Sequence, residues 1–206
     1  WYWRDHVTSP IRSWGKLVWG EVYDAKPDLL QSYVDTGMKV TDYNLYDAVQ
    51  AAFRFGGSLR RLEGSGFAAR NGSESMTFIE NHDVGAPQNR RLAQAFLAAY
   101  AGYPIFYDVK LDDKDLSNLV WIRKNFASGH VISRLSEDDV SIIERDGKLI
   151  AAVNQSGSWQ SRWISTNFWG GTKLHDYSGH VGDVWVQNDG RVEVSIPPMD
   201  YVMLAP

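Results

Sequence analysis

At 206 residues the chain has room for one ordinary domain or two small ones, and its 44% hydrophobic and 22% charged content excludes wholesale disorder. Lys and Arg total 21 against 25 Asp and Glu, a net charge of −4 that argues against nucleic acid and anionic membranes as partners. No apolar run approaches the ~20 residues of a membrane span, and the lack of cysteine excludes disulfides and thiol chemistry.

The opening Trp1-Tyr2-Trp3-Arg4-Asp5 has neither an initiator Met nor a signal-peptide pattern. It reads as a start inside a longer sequence, a mature terminus or a cleavage point. Residues 17–22 read as a buried strand. Pro27 and Asp28 then open a helix with Leu29, Leu30, Tyr33 and Val34 at its apolar positions, and Gly37 stops it. Residues 38–42 form the next expected strand, followed by a helix with Leu45, Val49, Ala52 and Phe53 on one face. The polar, Gly-rich stretch 56–75 reads as loop with a short helix inside. A third strand at 76–79 precedes a helix carrying Leu92, Phe96 and Tyr100. A fourth at 104–107 precedes a closing helix at 115–126 with Leu119, Ile122 and Phe126 aligned. Four βα units in succession predict a parallel sheet covered by helices.

The period changes near Ser128. Eight short strands are expected at 130–134, 140–145, 149–154, 163–165, 173–177, 184–187, 191–196 and 201–205. Asp146-Gly147 and Asp189-Gly190 suit tight hairpins, and the spacing predicts an antiparallel sandwich. The division is therefore 1–127, α/β, and 128–206, all-β.

In a parallel βα array the carboxyl ends of the strands share one face, which carries the site in barrels. Those ends hold Glu21 and Asp24, then Asp42, then Glu80-Asn81-His82-Asp83, then Asp108. Singly, Asp24, Asp42 and Asp108 read more readily as helix caps or solvated loop residues. Converging carboxylates split into an acid and a base, and glycosidic hydrolysis uses such a pair.

Phe78-Ile79-Glu80-Asn81-His82-Asp83 resembles the fourth conserved motif of the α-amylase family, glycoside hydrolase family 13, in which a strand ends in Asn-His-Asp. Gly20-Glu21-Val22-Tyr23-Asp24 resembles the third, whose strand carries the catalytic Glu. The segment from Gly37 to Tyr46 is similar to the sixth strand of archaeal and plant-like α-amylases, and Gly102 to Tyr107 to their eighth. Asn118 to Lys124 resembles the helix after it, and Leu174 to Gly179 with Pro197-Pro198 and Tyr201-Val202 resembles their C-terminal β domain. The resemblance runs through nearly the whole chain in the family's order. It implies the second half, strands 5–8, of a TIM (β/α)8 barrel followed by an antiparallel β-sandwich.

By position, the resemblance implies Glu21 as general acid/base, Asp83 as transition-state stabiliser, and His82 and Asn81 as sugar-binding residues. Tyr23 is a candidate for stacking on a glucosyl ring, with packing equally open. His6, His130, His175 and His180 are scattered and read as surface or turn residues. Trp159, Trp163, Trp169 and Trp185 suit core packing better than a sugar platform. The family's nucleophile, an Asp at the end of the fourth strand, has no counterpart; Asp5 sits where a helix is expected.

The implied function is retaining hydrolysis of α-1,4-glucosidic bonds in starch-type glucans. The alternatives are a noncatalytic carbohydrate-binding or assembly module, or a sister transglycosylase or α-1,6-hydrolase. No cofactor or metal ligand is expected in this chain, since the family's calcium site belongs to the N-terminal half. Expected partners are the glucan and an N-terminal half-barrel polypeptide, or a second copy through self-association. A polymeric substrate implies an extracellular, secreted location.

Overall fold

In a computed structural model, residues 2–23, 26–110 and 112–206 are described; Trp1 and the strand-end candidate Asp24 lie outside them. A π-helical segment, Trp3–Thr8, runs into α1 (Ser9–Ser13) and contains Asp5, as its helical reading requires. Then come β1 (Trp19–Gly20), α2 (Pro27–Val34), β2 (Lys39–Thr41), α3 (Tyr43–Ala52), α4 (Ala68–Asn71), β3 (Ser75–Phe78), α5 (Arg90–Ala99), β4 (Tyr103–Ile105) and α6 (Lys114–Phe126). Strands β1 to β4 are parallel and adjacent in sequence order.

The first strand departs from expectation. Pairing is confined to Trp19–Gly20, and Leu17 and Trp19 are each 52% exposed rather than buried. Among the described residues β1 pairs only with β2, so its other edge has no neighbour to bury those side chains.

Asp42 is the buried N-cap of α3. It accepts hydrogen bonds from the backbone N–H of Leu45 and Phe67, both at 3.0 Å, and of Ala68 at 2.7 Å. Burial pushes its carboxyl above the usual range, against those three bonds. Gly66 makes this convergence possible: its φ is +78°, and a Cβ there would stand 2.6 Å from Leu45 Cβ.

The all-β part contains β5 (Val131–Ser136), β6 (Val140–Arg145), β7 (Leu149–Asn154), β8 (Gln160–Ser165), β9 (Lys173–Asp176), β10 (Val184–Trp185), β11 (Arg191–Ile196) and β12 (Asp200–Ala205). They form a six-stranded antiparallel sheet, ordered β10-β9-β12-β7-β6-β5, and a β11-β8 ribbon. Asp146-Gly147 closes the β6–β7 hairpin, both residues taking positive φ. Asp189-Gly190 also makes a tight turn, with Gly190 N–H donating to the Gln187 carbonyl at 2.9 Å, but it carries the chain from the large sheet to the ribbon.

Strands β6, β7 and β12 are buried on both faces, alternating as the pleat requires. Ile143, Leu149, Ala151, Val153, Tyr201 and Met203 join α3, α5 and α6 in one core. Val140, Ile142, Ile150, Ala152, Val202 and Leu204 face the ribbon's Ile164, Val192, Val194 and Ile196 in a second. That second core is mostly Val, Ile and Leu, with Phe168 as its aromatic ring. The tryptophans expected in it point outward instead: Trp159, Trp163, Trp169 and Trp185 are 52–86% exposed. No helix among the described residues is long and apolar enough to cross a membrane.

Two guanidiniums tie the C-terminal end of α5 to its neighbours. Arg123 of α6 donates to the carbonyls of Ala98 and Tyr100, both at 2.7 Å, and to that of Gly102. Arg145 of β6 donates to Ala99 at 2.9 Å, Tyr100 at 2.8 Å and Gly129 at 2.7 Å. The last carbonyls of a helix lack intrahelical donors and carry its negative dipole end, so cations are favoured there. Burial, with the like charge of Arg145 second, lowers Arg123 to about 10. Replacing Arg145 by Met removes its bonds from this junction and should cost about 1–3 kcal/mol of unfolding free energy. Urea denaturation checks this; a change under about 0.5 kcal/mol would show the bonds to be dispensable.

Candidate active site

Parallel neighbours end on the same side, so the residues just past β1, β2 and β3 come together. Glu21 follows β1 directly, Tyr43 opens α3 after β2, and Asn81 lies in the turn after β3. The Tyr43 hydroxyl donates to Glu21 Oε1 at 2.5 Å. Asn81 Nδ2 approaches the same oxygen at 3.4 Å and the Tyr43 hydroxyl at 3.5 Å. Both contacts fall on Oε1, and among the described residues Glu21 Oε2 has no such partner.

Tyr43 is the residue that sequence reasoning missed. It lies in the segment from Gly37 to Tyr46 that carried the resemblance, but no local pattern assigned it a role. Its ring is 7% exposed and packs edge-on against Phe78 at 5.0 Å and Tyr23 at 4.7 Å. Burial, then the hydrogen bond to the Glu21 carboxylate, push its phenol up to about 12, with the Asp83 charge adding to the rise. Tyr43 therefore keeps its proton at ordinary pH and acts as a donor.

Asn81 also shapes the turn that carries the other candidates. Its Oδ1 accepts from the N–H of Asp83 and of Val84, both at 2.9 Å. His82 Nε2 lies 3.4 Å from Asp83 Oδ2, and both side chains are about two-thirds exposed. Tyr23 is 80% exposed, with an edge contact to Tyr43 rather than a buried packing site. Glu21, Asn81 and Tyr23 thus converge on Tyr43, with the His82–Asp83 pair on the turn that Asn81 shapes.

Among the described residues, Asp42 and Glu80 do not join them. Asp42 is a helix cap. Glu80 is ion-paired with Arg90 at 2.5 Å, and Arg90 also donates to the Asp108 carbonyl at 3.2 Å, bracing the chain after β4. Among the described residues no three His, Asp or Glu side chains are grouped closely enough to hold a metal ion. Glu21 and Tyr23 line a cavity of about 580 Å³ with Trp3, Trp19, Leu29 and Met38 along the open edge of β1.

Residues 149–203 match the sequence family described as α-amylase C-terminal. No curated protein matches the chain. The cyclomaltodextrin glucanotransferase CldA superposes with a TM-score of 0.79 at 21% identity, covering 98% of this chain and 52% of its own. An α-amylase from Anoxybacillus gives 0.78 at 17% identity, covering 100% and 56%. One from Malbranchea cinnamomea gives 0.75 at 15% identity, covering 97% and 52%. This chain shares their fold. It spans about half the length of each, and β7 to β12 are of the α-amylase C-terminal all-β type.

The Tyr43 contact has a pH consequence. Its pKa is higher in the folded chain than the usual 10, so its contribution to stability is complete below pH 10 and is lost as pH rises through about 12. Wild type should lose more stability across that window than Tyr43→Phe, and the variant should lack one late-titrating phenolate in its absorbance titration. Superimposable titrations of the two proteins would show that Tyr43 is not held in this way.

Proposed function

We propose that this chain is the C-terminal half of a retaining α-glucan hydrolase of the α-amylase family. In this reading β1 to β4 are barrel strands five to eight, within residues 1–127, and residues 128–206 are the C-terminal β domain. The observation that carries the proposal is the Glu21 carboxylate, held through one oxygen by Tyr43 and Asn81 at the carboxyl ends of adjacent parallel strands, with Asp83 on the same turn as Asn81. The shared fold with proteins named as α-amylases and a cyclomaltodextrin glucanotransferase supports it.

The mechanism is double displacement. Glu21 delivers a proton to the leaving glycosidic oxygen while a nucleophilic Asp attacks the anomeric carbon. Glu21 then takes a proton from the water that releases the sugar. Asp83 stabilises the positive charge of the oxocarbenium-like transition state, and His82, Asn81 and Tyr23 position the ring. The nucleophile comes from a complementing N-terminal half-barrel docked along the apolar edge of β1. We assign no cofactor to this chain and place the family's calcium in that other half. Action on a starch-type polymer implies secretion.

Two neighbouring readings have specific support. A noncatalytic carbohydrate-binding or assembly module is favoured by the exposure of His82 and Asp83. A sister transglycosylase is favoured by the likeness to a glucanotransferase. Product analysis on maltooligosaccharides separates hydrolysis from transfer.

In the complemented enzyme Glu21→Gln should lower starch hydrolysis by about 100- to 10,000-fold, the range of a lost general acid. The chain without its complement should release little or no reducing sugar. Unimpaired hydrolysis by Glu21→Gln would remove Glu21 from the mechanism and favour the module reading.

A further inference from the structure

The chain has a net charge of −4, yet one of its clefts is lined by cations and, among the described residues, by no acid. The cleft holds about 570 Å³, within the ~300–1,000 Å³ span of small-ligand sites. Arg70 of α4, Arg123 and Lys124 of α6, His130 and Arg145 of β6 supply its basic groups. Ser73 and Gly102, which also line it, stand just before β3 and β4. The cleft therefore lies at the amino ends of the parallel strands, whereas Glu21, Tyr43 and Asn81 gather at the carboxyl ends.

Its deeper wall is fixed before any ligand arrives. Arg123 and Arg145 are each held by three carbonyl bonds and share the Tyr100 carbonyl, which brings two like charges to one oxygen. Arg145 is 6% exposed, and its Nε is a buried donor with no acceptor among the described residues, an unfavourable state for part of a charged group. Arg70, Lys124 and His130 at the mouth are exposed and make no hydrogen bond or ion pair among those residues. The acids close by in sequence are engaged elsewhere. Glu74 pairs with Lys39 at 3.6 Å, and Asp146 accepts from Asn167 Nδ2 at 2.8 Å. The carbonyl ends of α5 and α6 carry roughly −0.5 charge each, so they offset about one of the four Lys and Arg charges.

We propose that this cleft binds a phosphoryl dianion, with Arg123 and Arg145 at its inner wall and Arg70, Lys124 and Ser73 reaching the oxygens from the mouth. A phosphate monoester carries roughly −1.5 to −2 charge at pH 7 and three strong acceptor oxygens, which suits several convergent cations. Planar guanidiniums already locked in place lose little entropy on meeting it. A bound anion also relieves the repulsion from Arg145 that, after burial, lowers Arg123 to about 10. A halide ion would leave most of the volume unfilled, and a lone carboxylate brings a single charge to a larger excess. Nucleic acid or an anionic membrane needs a broad basic face, and here the cations line a cleft in an acidic chain. The cleft shares no residue with the Glu21 centre, so phosphate binding there stands or falls independently of hydrolysis.

The test titrates inorganic phosphate and glucose 6-phosphate into the full chain by calorimetry, with sodium chloride at matched ionic strength and uncharged glucose as controls. At least one phosphate should bind saturably with Kd below about 1 mM and raise the unfolding temperature, while chloride and glucose do neither. Equal or tighter binding of inorganic phosphate points to the free ion, and a preference of about tenfold for the ester points to a phosphorylated small molecule. Arg70→Ala and Lys124→Ala should each weaken binding by about tenfold, with the unfolding temperature of the free protein unchanged because both side chains are exposed and unpaired. Glu21→Gln should bind phosphate as wild type does. Equal stabilisation by chloride and phosphate would reduce the effect to screening and overturn the proposal. Binding by the Arg70→Ala, Lys124→Ala double variant within about twofold of wild type, or no saturable binding up to about 10 mM of either phosphate, would also overturn it.

Discussion

A strand buried on both faces must be covered on both, and β7 sets this requirement for the whole chain. All six of its residues are buried between β12 and β6. Its odd-numbered side chains need the helices and its even-numbered ones need the β8–β11 ribbon. Neither layer is optional, because removing either would expose a row of aliphatic side chains at roughly 25 cal/mol per Å² of apolar surface. Helix α5 answers from the other side: every residue from Leu92 to Ala99 is buried, so past its first two residues it has no solvent face. Such a helix is stable only between partners. The all-β part therefore fixes the position of α5, and α5 fixes the loops that bracket it, which follow β3 and precede β4.

The electrostatics follow the same junction. Arg123 comes from α6 and Arg145 from β6, yet both spend their donors on the last carbonyls of α5. Like charges meet there because the carbonyl dipoles hold each guanidinium more strongly than the two repel. A second tie lies near the start of the same helix, where Arg91 bridges Asp115 of α6 and Asp200 of β12, both at 2.8 Å. With polar ties near its two ends and apolar contacts between, α5 gives the turn after β3 a rigid support. The geometry of Asn81 and Asp83 depends on that support.

Much of this was legible in the sequence. Four βα units and the later strands were readable because their periods, 3.6 and then 2, are local properties of the chain. Asn81, His82 and Asp83 stand out because they follow an apolar strand directly. Tyr43 was not legible, since its role arises from the adjacency of three strands separated by dozens of residues. The buried reading of residues 17–22 failed for a related reason: an apolar run shows that a strand prefers cover, not that its neighbour is present. The outward tryptophans do carry a signal in the sequence. In Gln160-Ser161-Arg162-Trp163-Ile164-Ser165 the inward position of Ile164 already turns Trp163 out, because adjacent strand residues face opposite ways.

The open edge of β1 and the openness of the site are one feature rather than two. Glu21 and Tyr23 line the same cavity as Trp3, Trp19, Leu29 and Met38, so the apolar strip and the carboxylate share a wall. Trp3, Trp19 and Tyr23 are about half to four-fifths exposed there, a density of large rings that water solvates poorly. Any polypeptide that covers this strip places its own side chains against the Glu21 carboxylate. It also lowers the local dielectric around the Tyr43–Glu21 hydrogen bond, which strengthens that bond. Under the docking proposed above, cover of the strip and completion of the site would be a single event, driven by burial of the rings and read out at Glu21.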